Sequence, residues 1–176
     1  MQRIPVWDMF VRVTHWTVAV LVLAELTVLD EDWAVHRWAG YVVLALVALR
    51  LIWGLVGSRY ARFSAFPPSL RAAWAHLAGL RRGEHALHLS HNPLGALMAY
   101  NLWASLIAVC VTGILMTTKT FWGVDWVEET HEIVANWVLI SVILHVAGVV
   151  FETRHSKVNL VRAMINGQKE IPGPGE

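Results

Sequence analysis

Four long apolar runs alternate with short polar stretches along the chain, and each predicts a helix long enough to cross a membrane. A hydrocarbon core about 30 Å thick needs roughly 20 mainly apolar residues. The runs at about 10–29, 34–56, 93–116 and 131–151 satisfy that length. Trp7 and Trp16 are placed to anchor the first at the interface. An acidic turn, Asp30-Glu31-Asp32, follows it, and Gly54 and Gly57 mark the way out of the second. The third opens at Asn92-Pro93, an N-cap residue followed by proline at the first helical position. A loop with Lys119, Trp122, Asp125 and Trp126 leads into the fourth.

The polar insert 58–91 reads differently. Pro67-Pro68 breaks any continuing helix. Residues 69–82 then place Leu70, Ala73, Trp74, Leu77 and Leu80 on one face, with Arg71, Arg81 and Arg82 elsewhere. That pattern predicts a short amphipathic helix lying on the membrane surface, a loose basic loop being the alternative. After the fourth run, an amphipathic stretch around Asn159 to Ile165 precedes a Pro/Gly end expected to be mobile. The expected fold is all-α: a single membrane domain over residues 1–176, built as a four-helix bundle with an interfacial helix between its second and third spans.

Composition narrows the class. Of 176 residues, 56% are hydrophobic and only 15% charged, against about 25% charged in soluble domains; the mean hydropathy is +0.50. The single cysteine, Cys110, lies inside an apolar run. It excludes an internal disulfide, a Cys-rich metal cluster and the C-x-x-C-H attachment of a c-type haem. No cleavable leader is expected, because the first run lacks a small-residue cleavage site and is itself long enough to span. A net charge of +1 gives no reason to expect a nucleic-acid partner. Its distribution is more telling. All but Arg37 and Lys119 of the 14 Lys and Arg residues fall on the side of the termini, with Arg50 counted at its own end of the second span. The opposite side carries Asp30, Glu31, Asp32, Asp125, Glu128, Glu129 and Glu132. The positive-inside rule then places both termini in the cytoplasm.

The fourth run carries His131 and His145, fourteen positions apart. On a helix that is about 21 Å of rise and about 40° of angular drift, so both rings share one stripe. A histidine inside a span is a functional candidate by default. With the orientation above, His15 and His145 fall at an inner level and His36 and His131 at an outer one. Each pair comes from two different spans. Zinc wants three or four ligands around one point, and each level offers two. A haem needs only two axial ligands from the protein. With both positions filled, electron transfer is favoured over oxygen activation.

Neighbouring residues fit that reading to different degrees. Gly40 follows His36 by one turn and Gly148 follows His145 by three residues; both would let a flat macrocycle approach the backbone, or simply let helices pack closely. Arg12 and Arg50, near the inner level, suit haem propionates or snorkel to headgroups. Glu25, the one acid well inside a span, is a protonatable group near the outer level or an acid reaching the interface. His76, His85, His88 and His155 are expected to be solvated. His91 caps and packs the third span, or stands beside the inner site.

The segments VWDMFVRVTHW (6–16), HRWAGYVVLALVALRLIWGLVGSRYARFSAF (36–66), HNPLGALM (91–98), HEIVANWVLISVILH (131–145) and NLVRAMINGQK (159–169) resemble the bacterial cytochrome b561 family. Within it they are most similar to the b-type cytochrome subunits serving nickel–iron hydrogenases. The resemblance implies a multi-pass protein of the bacterial inner membrane with two non-covalent b haems, ligated by His15, His36, His131 and His145. It further implies electron transfer between a redox protein, such as a c-type cytochrome or a hydrogenase-like subunit, and membrane quinone. No catalytic residue is expected in such a relay. The alternatives are a self-contained quinone-linked oxidoreductase acting on a small species such as superoxide, and a haem-free anchor or ion pathway.

Overall fold

The structure, a computed structural model, describes residues 2–27, 33–84 and 87–171. The expected end of the first span at residues 28 and 29, the acidic turn Asp30-Glu31-Asp32, His85 and residues 172–176 lie outside the described residues. Strand β1 (Gln2–Pro5) leads into helices α1 (Met9–Thr27) and α2 (Trp33–Val56). A 3-10 turn (Phe63–Ala65) and helix α3 (Leu70–Arg81) come next, then α4 (Pro93–Met116) and α5 (Asp125–Ser156). Helix α6 (Leu160–Asn166) and strand β2 (Gln168–Ile171) close the described chain.

Four of these helices, α1, α2, α4 and α5, are long and apolar enough to span a membrane. Much of their apolar surface faces outward, Val20, Leu55, Ile133 and Ile143 among it, as a bilayer rather than water requires. Helix α5 is longer than the expected 131–151. Its apolar run is extended at both ends by residues that complement the helix dipole, Asp125 and Glu128 in the first turn and Arg154 and His155 in the last.

Side-chain caps start α1, α3 and α4. The Asp8 carboxylate accepts from the Val11 N–H at 2.9 Å and so caps α1. It also accepts from Trp53 Nε1 and Ser58 Oγ, tying α1 to the exit of α2. Burial opposes its charge, but the bonds from Ser58, Trp53 and Val11, with Arg50 nearby, hold its carboxyl below the usual range. Asn92 caps α4 through Gly95 N–H at 2.7 Å, ahead of Pro93. Ser69 caps α3 through Ala72 N–H. Ala73 and Gly79 of α3 are buried, while Leu70 and Trp74 point outward. The insert therefore forms the amphipathic helix, not the loose loop.

Two cores hold the molecule. Val22, Val43, Val47, Leu106 and Val138 form the one between the spans. Val6, Trp7, Val11, Ala61 and Ala163 form a cap at the end carrying the termini. Trp7 is thus a core residue and not an interfacial anchor. The all-α expectation needs one addition. Strands β1 and β2 pair antiparallel, Gln2 opposite Ile171 and Pro5 opposite Gln168, and Gly167 O accepts from the Val6 and Trp7 N–H groups. Both ends of the described chain therefore meet at one end of the bundle.

Helix α1 packs on α2, α2 on α4, and α4 on α5. Among the described residues, α5 makes no comparably close backbone approach to α1 or α2. It faces them across the histidines.

Candidate functional site

Near the end carrying the termini, His15 of α1 faces His145 of α5, with ring centres 6.4 Å apart. At the other end, His36 of α2 faces His131 of α5 at 6.1 Å. All four residues paired from spacing and sidedness come together as expected. Among the described residues no three His, Cys, Asp or Glu side chains are grouped so as to hold a metal ion by themselves.

These distances allow a fit test for a bis-histidine haem. Metal–imidazole bonds of about 2 Å on each side of one ion, plus roughly 1 Å from each nitrogen to its ring centre, separate two axial rings by about 6 Å. Both pairs match. The surrounding backbone is also open: a Cβ built on Gly40 or Gly148 would meet no atom within 4 Å. A third glycine, Gly113 of α4, lies against the outer pair, and a Cβ there would come within 3.1 Å of His131 Cε1. Gly113 escapes a reading of spacing because only the approach of α5 to α4 reveals its role. The residues present fit the group.

The nitrogens are poised differently at the two levels. The Thr112 hydroxyl lies within hydrogen-bond distance of the carbonyls of Ala108 and Val109 and of Nδ1 of His131, the last at 2.9 Å. At the outer pair Nδ1 of His36 lies against the Glu25 carboxylate. At the inner pair Nδ1 of His15 is buried without a hydrogen-bond partner among the described residues.

The inner level collects buried nitrogens with no hydrogen-bond partner among the described residues: Arg12 Nε, Arg50 Nη1 and His91 Nδ1. Arg50 is only 7% exposed. Its Nη2 donates to Ala61 O at 3.1 Å and its guanidinium lies over Trp103, so it does not snorkel to the headgroups. Arg12 lies along Gly167. His91 sits between Trp7 and Phe66. Lys169 Nζ donates to His88 O and Ser90 O, both at 2.9 Å, and burial lowers its pKa to about 8. The guanidinium nitrogens left without a partner among the described residues, Arg12 Nε and Arg50 Nη1, are what a pair of propionate carboxylates would satisfy.

The surface histidines depart from expectation. His76 and His88 are partly buried with rings 5.3 Å apart at right angles, and His155 stacks on Phe151. The first contact brings His88 back onto α3, which no sequence pattern encodes, while the second joins residues four apart on α5.

Residues 6–167 match the model of the prokaryotic cytochrome b561 family. The chain belongs to that family. No curated protein and no solved structure matches it. Membership makes this cytochrome b561 a multi-pass membrane protein that binds b-type haem and serves transmembrane electron transfer.

Proposed function

We propose that this cytochrome carries single electrons across the bacterial inner membrane through two b haems. His15 and His145 hold the inner one, His36 and His131 the outer. The relay links a redox protein at the outer face to quinone near the inner. The observation that carries this reading is the pair of facing ring separations, 6.4 and 6.1 Å.

When bound, each haem supplies a one-electron ferric–ferrous couple. Two histidines would hold each haem, leaving no place on it for oxygen or other small ligands. Gly40, Gly113 and Gly148 keep side chains out of the space between α5 and its neighbours. Arg12 and Arg50 would hold propionates at the inner level, and His91 would add a donor there. Helix α5 spaces its two ligands by roughly 21 Å, so entry and exit lie at opposite faces. His91, Arg12 and helix α3 are the elements of the inner side offered to a lipid-soluble quinone. Exposed Trp122 and Trp126 with Asp125, Glu128 and Glu129 form the face offered to a protein partner.

Haem content of the purified protein tests the pairing. Two haems per chain are expected, all extractable by acid acetone. His131→Ala should remove chiefly the outer haem and His15→Ala chiefly the inner. A content of one haem per chain would sink the reading.

A further inference from the structure

Glu25 is an acid near the outer end of α1, and its side chain is only 15% exposed. Among the described residues its carboxylate touches one polar partner, Nδ1 of His36. Acids inside a span are rare and are kept where they pair or serve a function. The two residues are eleven apart in sequence, and the antiparallel turn from α1 to α2 brings them to one depth. An ionised carboxylate only accepts. A ring that donates Nδ1–H to it presents Nε2 as the ligating nitrogen, and such a partner orients a metal-bound histidine and raises its basicity.

We propose that Glu25 is the positioning residue of the outer haem site, holding His36 through Nδ1 and making the outer haem the lower-potential member of the pair. This rests on the two-haem reading above. The physical reason is charge. A negative carboxylate on one axial ligand favours the ferric state, which carries one more positive charge than the ferrous. His131, the other outer ligand, has the neutral Thr112 hydroxyl on Nδ1. The inner level is biased the opposite way, because Arg50 and Lys169 are buried near it while Nδ1 of His15 has no partner among the described residues. Fixed positive charge favours the ferrous state. Electrons then pass downhill from the outer level to the inner, toward quinone.

Redox titration of the purified dihaem protein tests this. His131→Ala identifies the outer wave by its loss. In Glu25→Gln, which keeps the shape and removes the charge, the outer wave should shift to higher potential and the gap between the waves should narrow. The inner wave should stay in place, and both haems should remain low-spin. Glu25→Asp should restore much of the original gap. An unmoved outer wave in a two-haem Glu25→Gln protein overturns the proposal, as does an equal shift of both waves. If Glu25→Gln loses the outer haem, retention of that haem by Glu25→Asp supports the proposal, and loss in both overturns it. A wild-type protein titrating as one haem would sink the two-haem reading instead, so the two failures are distinguishable.

Discussion

His91 is enclosed by Trp7 and Phe66, with ring centres 5.0 and 4.5 Å away. Burial, reinforced by the charges of Lys169 and Arg50, lowers its pKa to about 3. In the unfolded chain the same ring takes a proton near pH 6.5. Between those values the unfolded state binds a proton that the folded state refuses, so stability falls as pH falls. The slope is at most about 1.4 kcal/mol per pH unit. Thermal unfolding in detergent should therefore weaken between about pH 6.5 and 3 by this route, and His91→Phe should flatten that acid limb. An unchanged limb would mean that His91 is protonated or solvated in the folded protein. Arg50 belongs to the same level and, in the proposed two-haem relay, would act on potential. Its buried charge would favour the ferrous inner haem, so Arg50→Leu should lower the inner midpoint and leave the outer nearly unmoved. Equal movement of both would show that Arg50 does not belong to the inner level.

The cap built by β1, α6 and β2 closes on one glycine. Gly167 has φ 84°, and a Cβ there would lie 2.6 Å from Trp7 O. Gly167→Ala combines that collision with the unfavourable left-handed backbone, a destabilisation of roughly 1 kcal/mol or more. Limited proteolysis should then cut the chain after α5 faster than in the wild type, while the four spans stay protected. An unchanged cleavage rate would show that the ribbon does not hold the tail. This cap marks the boundary of what the sequence made legible. The spans follow from twenty-residue apolar runs, and α4 from Asn92-Pro93. The histidine pairs follow from a fourteen-residue spacing combined with loop charge. Four-residue strands such as QRIP and QKEI carry no alternation long enough to read. The contact of Glu25 with His36 depends on how α1 and α2 rotate against each other. The enclosure of His91 needs Trp7 and Phe66 to arrive from distant segments. In each case the missing information is tertiary.

Charge on the whole molecule is divided between its two ends, and the division bears on how electrons enter. Residues Arg3, Arg12, Arg50, Arg162 and Lys169 gather at the end where β1 and β2 meet. The far end exposes Asp125, Glu128, Glu129 and Glu132 with Trp122 and Trp126. If that acidic face is outward, an electron moving inward works against a membrane potential that is negative inside, about 2.3 kcal/mol per 100 mV. A lower-potential outer haem would offset that work. An acidic face with two exposed tryptophans suits a basic patch on a protein partner, and electrostatic docking of that kind is fast and weakens steeply with salt. Replacing Asp125, Glu128 and Glu129 by Asn and Gln should slow electron exchange with a basic c-type cytochrome several-fold at low ionic strength and flatten its salt dependence. Reduction by a quinol analogue should change little, because in the proposed relay quinol meets the other end. Stopped-flow measurement of both rates on one preparation separates these effects. A triple variant that loses both rates equally would place the lesion in the haem sites. Turnover of superoxide with quinone by the purified wild type, without any partner and untouched by the triple variant, would show that the acidic face is not the entry point and that the chain acts as an oxidoreductase in its own right.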